Sequence, residues 1–219
     1  MKFRQSLLAV TLSLLPLTLA SPQSQSSPPP PPLWGGALQW SSLVNFSDPG
    51  DSPLPDPTWQ FTYHYDSINS SEIYLHGPNN GDMVCINTAH YPPGDPCNVL
   101  TSSDGRTYIT HIPSGECCIS PHHYGMLNPD WLINSNATYN GTDNINGVDS
   151  YEWACMGSVN GINNYASTTS EGREPVAFWE EHKGAEKRWD FILDSYVVGA
   201  PDPGVFEVPE GCVKYCPIF

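Results

Sequence analysis

Positive charge is scarce in this chain: 8 Lys and Arg stand against 23 Asp and Glu in 219 residues, a formal net charge of −15. A phosphate-binding surface needs clustered Lys and Arg to release counterions, so nucleic acid is excluded as a partner. Docking on anionic lipid by charge is disfavoured for the same reason. Charge of either sign is also thin, at 14 % of residues against a usual share of roughly a quarter. The common catalytic signatures are missing: there is no Gly-x-Ser-x-Gly elbow and no His-Glu-x-x-His zinc helix. No stretch sustains a helical apolar period, which limits the chain to one or two short helices, with candidates in His122–Leu132 and Tyr151–Ser158. Beyond the first residues no apolar run is long enough to span a bilayer, and the C-terminal residues lack the hydrophobic tail of a lipid-anchor signal.

What is present points to export. Lys2 and Arg4 precede an apolar run from Leu7 to Leu19, and small residues lead to a cut after Ala20, so residues 1–20 read as a secretory signal peptide. Loss of Lys2 and Arg4 from the 8 basic residues leaves 6 against 23 acidic ones, a net −17. Asn45, Asn69, Asn136 and Asn140 each open an Asn-x-Ser/Thr sequon, and glycans there would fix their surroundings at the surface of a secreted glycoprotein. In an oxidising compartment Cys85, Cys97, Cys117, Cys118, Cys155, Cys212 and Cys216 read first as disulfides. Seven is odd, so one cysteine is unpaired or joins two chains. Neighbouring residues on a strand face opposite sides, so Cys117 and Cys118 take different partners. Zinc held by this doublet with His122 and His123 is the alternative, at a spacing that matches no standard ligand pattern.

Residues 21–55 read as a Pro-rich linker, ending its first part at Pro28–Pro32, followed by a partly ordered lead-in around Trp34 and Trp40. The folded unit then covers residues 56–219. Its dominant period is two. Trp59, Phe61, Tyr63 and Tyr65 alternate with Gln60, Thr62, His64 and Asp66, the pattern of a strand with one apolar face. Further strand candidates are Glu72–Leu75, Asp82–Asn87, Arg106–Ile112, Glu116–Ser120, Val176–Glu181, Trp189–Tyr196 and Val205–Val208, separated by Gly- and Pro-rich turns. Short connections pair strands antiparallel, so the expected fold is mainly β, a meandering disulfide-reinforced sheet with one aromatic face to be covered.

Paired carboxylates for glycoside hydrolysis could come from Asp190, Asp194, Glu180 and Glu181, but no motif positions them. The Asn- and Asp-rich stretch Asn134–Asp149 offers oxygen ligands for calcium. It fails the EF-hand pattern, because with Gly147 at the turn Thr142 stands first and Trp153 occupies the place of the bidentate Glu. The 7 Trp, 11 Tyr and 7 Phe serve as core, as the wall of a pocket for an apolar ligand, or as platforms that stack on sugars.

The most specific run closes the chain: Glu174-Pro175-Val176-Ala177-Phe178, Trp189-Asp190-Phe191, Asp194-Ser195-Tyr196, Gly199, Pro201-Asp202-Pro203, Phe206-Glu207-Val208-Pro209 and Cys212. It resembles the ependymin-related family of secreted glycoproteins, whose members tend to end with a strand, a Pro-Asp-Pro turn and Phe-x-Val/Ile-Pro-x-x-Cys. The order of Asp104-Gly105, Cys117-Cys118, Pro129-Asp130-Trp131-Leu132 and Tyr139-Asn140-Gly141 upstream is also similar. The resemblance implies curved antiparallel sheets forming a half-barrel with a hydrophobic pocket, like bacterial lipoprotein carriers. It implies non-catalytic binding of lipid or another apolar ligand, calcium (Ca2+) association, N-glycosylation and disulfide-supported homodimers. On it, Trp59, Phe61, Tyr63, Phe178, Trp189, Phe191 and Leu193 line the pocket or core. Cys212 then pairs with Cys85, Cys97, Cys117 or Cys118 to pin the closing segment. The polyproline leader, the doublet and the extra Cys216 depart from the family pattern. The expected function is a secreted, non-enzymatic carrier of an apolar ligand. A carbohydrate-binding cell-wall or matrix module and a secreted hydrolase are the alternatives.

Overall fold

Alternation organises the chain, most plainly in Thr58–Asp66, where Trp59, Phe61, Tyr63 and Tyr65 are buried while Gln60, Thr62 and His64 face outward. The computed structural model describes residues 28–155, 162–170, 174–182 and 184–217; the expected signal peptide at 1–20 lies outside them. A first meander comprises β1 (Gln39–Ser47), β2 (Thr58–Asp66), β3 (Ser71–His76), β4 (Cys97–Thr101), β5 (Thr107–His111) and β6 (Cys117–Ile119). A second comprises β7 (Thr138–Ile145), β8 (Val148–Cys155), β9 (Asn163–Thr169), β10 (Pro175–His182) and β11 (Ala185–Phe191), followed by the short β12 (Val197–Val198). The two fuse into one curved, unclosed antiparallel sheet of order β6-β5-β4-β3-β2-β1-β11-β10-β9-β8-β7, with β12 also beside β1.

The lead-in of the sequence reading is thus the centre of the sheet. β1 pairs with β2 along its whole length, and on its other side with β11 over Val44–Ser47 and with β12 at Trp40 and Ser41. Trp34 and Trp40 are fully buried in the main aromatic cluster. β1 alternates too, but Ser42 occupies an inward position, where its hydroxyl donates to the Leu43 carbonyl at 2.9 Å. The domain therefore begins before residue 40 rather than at 56.

Other expectations are corrected by local chemistry. Tyr151–Cys155 is strand β8, not a helix, because Asn146 and Gly147, both at positive φ, form a two-residue hairpin turn that returns the chain beside β7. Residues 156–158 of that candidate lie outside the described residues. The helix expected in His122–Leu132 is the single turn α1 (Trp131–Asn134). Asp82–Asn87 is not a strand. Asp82 Oδ1 accepts from the Val84 N–H at 2.7 Å and opens a π-helical turn over Val84–Thr88. Val205–Val208 is not a strand either, since Pro203 and the Asp202 carboxylate, which accepts from the Gly204 N–H, start a 3-10 turn over Pro203–Phe206. β11 ends at Phe191, and Leu193–Ser195 forms a turn.

Three disulfides tie the sheet: Cys85–Cys97, Cys117–Cys212 and Cys118–Cys216. The doublet takes two partners, Cys212 pairs within the expected set, and the thiolates that a zinc site would need are consumed. Cys216 is not the odd cysteine. That residue is Cys155, which is buried on β8. The two C-terminal bridges hold residues 214–216 against β6, where the Ile119 N–H donates to Lys214 and the Cys216 N–H to Ile119. This covers an edge that would otherwise be open to pairing.

Gly35, at φ +69°, lets the chain pass over the Trp40 indole: a Cβ there would lie 2.2 Å from Trp40 Nε1. Gly35→Ala is expected to destabilise the domain by about 1–3 kcal/mol through this clash and the positive φ. Thermal unfolding should show a Tm several degrees lower, and an unchanged Tm contradicts the account.

Candidate ligand-binding cavity

The pairing register places side chains in rows across the inner face of the sheet. Trp59 on β2 faces Phe46 on β1, Phe46 faces Trp189 on β11, and Trp189 faces Phe178 on β10. Their ring centroids are 4.6, 4.5 and 5.0 Å apart. The next row runs His76, Phe61, Val44, Phe191, and the one after it Val99, Tyr74, Tyr63, Ser42. Cross-strand neighbours lie close enough for tilted and edge-to-face ring contacts.

Over these rows lies a cavity of about 470 Å3, within the range of small-ligand sites. Trp59, Phe61, Tyr63, Phe178, Trp189 and Phe191 of the sequence reading all line it. Leu193 does not, and packs with Ile145, Val176 and Ala177. The segment Tyr124-Gly125-Met126-Leu127, which belongs to no strand, completes the wall. It is tied to the inner face where the Tyr65 hydroxyl donates to the Leu127 carbonyl at 2.7 Å, and where the Trp34 N–H donates to Pro129 at 2.6 Å. The Tyr124 and Thr88 hydroxyls lie 2.9 Å apart.

The polar groups in this apolar space were not legible as a motif. Glu72, Tyr74 and His76 share the inward face of β3, while Ile73 and Leu75 pack on the other side with Leu100 and Ile119. Glu72 is 3 % exposed and accepts from the Tyr63 hydroxyl at 2.6 Å, from the Leu127 N–H and from Tyr74. Burial outweighs these bonds and pushes its carboxyl up to about 7. His76 Nε2 lies 2.9 Å from Asp82 Oδ2. Burial alone would raise Asp82, but the bond and charge of His76 and the Val84 N–H hold it low. Toward β10 and β11, Lys187 lies 3.2 Å from Asp48 and 2.7 Å from Asp51. Burial opposes its charge, yet these carboxylates keep its pKa raised.

Of the carboxylates weighed for hydrolysis only Glu180 lines the cavity, and burial raises its pKa. Asp190 is held by Arg188 at 2.9 Å, and Glu181 and Asp194 are exposed. His76, Asp82 and Cys85 converge, but the Cys85 sulfur is bound to Cys97. Asn134–Asp149 runs from the end of α1 along β7 and through the hairpin turn, with Asn144 donating to Asp149 at 2.9 Å.

Glu72 sets a pH dependence. Its carboxyl is raised from 4.5 to about 7, so the folded state holds the proton more tightly and stability falls as pH rises from about 4.5 to about 7. The full effect is on the order of 3 kcal/mol. The Tm of the wild type should therefore drop between pH 5 and 8, and Glu72→Gln should flatten that drop; parallel curves contradict the assignment.

No family model matches the chain, and no curated protein does. Solved structures resemble it to different degrees. An uncharacterised conserved protein from Thermus thermophilus superposes with a TM-score of 0.52 at 7 % identity, over 80 % of this chain and 88 % of that one. The lipoprotein LppX of Mycobacterium tuberculosis gives 0.37 at 10 %, over 72 % and 86 %, and a LolA superfamily protein from Nitrosomonas europaea 0.36 at 9 %, over 78 % and 90 %.

Proposed function

We propose that this protein is a secreted, non-catalytic carrier that holds a lipid or other apolar molecule in the cavity on the inner face of its sheet. The observation that carries the reading is the cavity itself: about 470 Å3 walled by aligned rows of aromatic side chains. Burial of apolar surface there supplies roughly 25 cal/mol per Å2, and binding needs no reacting group. The rings face inward and are buried, which disfavours the carbohydrate-binding alternative, since stacking on a sugar needs exposed platforms. Three disulfides suit an oxidising compartment, and Asn45, Asn69, Asn136 and Asn140 are all exposed, as N-glycan acceptors must be. Calcium association and dimer formation belong to the same reading, through the ependymin-related likeness.

Two experiments test this. Organic extraction and native mass spectrometry of protein from a secreting eukaryotic host should release an apolar molecule, and treatment with a peptide N-glycosidase should lower the mass by whole glycans. Val99→Trp, which fills the cavity from β4, should weaken binding of a neutral apolar fluorophore at least about tenfold, an order set by the volume removed. Undiminished fluorophore binding by a folded Val99→Trp protein refutes the cavity as the site.

A further inference from the structure

The carrier reading leaves open which head group the ligand bears, and the polar side chains of the cavity address that. Among the carboxylates that line it are Glu72, Asp82, Asp48 and Glu180, and the basic side chains are Lys187 and His76. Lys187 is engaged by Asp48 and Asp51, and His76 faces Asp82 through Nε2. Glu72 differs. It is buried against neutral donors only, the Tyr63 and Tyr74 hydroxyls and the Leu127 N–H, whereas a carboxylate has about four acceptor sites. Both ring nitrogens of His76 are buried and neither makes a well-aligned hydrogen bond among the described residues, Nε2 lying 2.9 Å from Asp82. Glu72 and His76 stand two pleats apart on the same face of β3, with Tyr74 between them and Tyr63 alongside on β2. Tyrosine faces also favour a cation.

Resting on the carrier reading, we infer that the cavity selects a single-chain amphiphile with a cationic amine head, seated against the Glu72 carboxylate beside the Tyr63 and Tyr74 rings, its chain lying on the aromatic rows of the inner face. A carboxylate head would meet Glu72 and Asp82 as like charges, with Lys187 already paired, and would have to bind as the neutral acid. At about 30 Å3 per water-sized group, about 470 Å3 holds on the order of fifteen heavy atoms, which suits a twelve-carbon probe.

The test compares dodecylamine, dodecanol and laurate as displacers of bound N-phenyl-1-naphthylamine from the intact protein at pH 8 and 0.15 M salt, where an alkylamine is charged and long-range surface attraction is screened. The amine should displace at least about tenfold more tightly than laurate, with dodecanol between them. In Glu72→Gln the amine should lose its lead over dodecanol. Laurate binding as well as the amine, or an amine preference that survives Glu72→Gln, overturns the inference while leaving the carrier intact. Failure of all three amphiphiles overturns the carrier reading along with it. Should Glu72→Gln not fold, the ranking on the wild type decides alone.

Discussion

The structure depends on β1 being paired on both sides. Without β1 the chain would form two sheets, β2–β6 with an open edge at β2 and β7–β11 with an open edge at β11, and β1 joins them into one surface. Its register does more than join. Because Phe46 opposes both Trp59 and Trp189, and Val44 opposes both Phe61 and Phe191, the aromatic positions of the two halves fall into common rows. A slip of one residue would turn every one of these rings to the outer face. Ser42 and Ser195 mark where β11 leaves β1 and β12 arrives: the Leu43 N–H donates to Ser195 Oγ at 2.7 Å, so the backbone group freed at the gap is satisfied by a side chain.

Much of this was legible in the residues, for reasons that differ by element. β2 announces itself because its inward positions are all aromatic. β1 carries the same alternation, yet inward Ser42 and the neighbouring Pro-rich stretches mask it, and only the pairing partners reveal why a serine is tolerated there. The β7–β8 hairpin has a strong local signal in Asn146-Gly147, but β7 is an edge strand whose polar residues face solvent, so it lacks the apolar face that strand recognition relies on. Of the candidate pocket residues, six reach the cavity because they sit at matching phases of β2, β10 and β11. Leu193 follows the end of β11 and is carried out of phase by the turn. Glu72 does not announce itself, because an acidic residue reads as an outward one and its burial follows from Tyr63 and Leu127, which are nine and 55 positions away.

The size of the cavity bears on whether it is a packing defect. At about 470 Å3 it is far larger than the few water-sized voids that a close-packed core contains. Side chains flank it that could fill it only by leaving their places. Phe46, Trp59, Trp189 and Phe178 are braced ring against ring across four strands, and inter-strand spacing is fixed by the backbone ladder. The Cys85–Cys97 bridge holds Met83 and Val84 beside β4. Tyr65 and Trp34 fix the Tyr124–Leu127 segment at its far end. A volume that the backbone register, a covalent bridge and hydrogen bonds all keep open is a built feature of the fold.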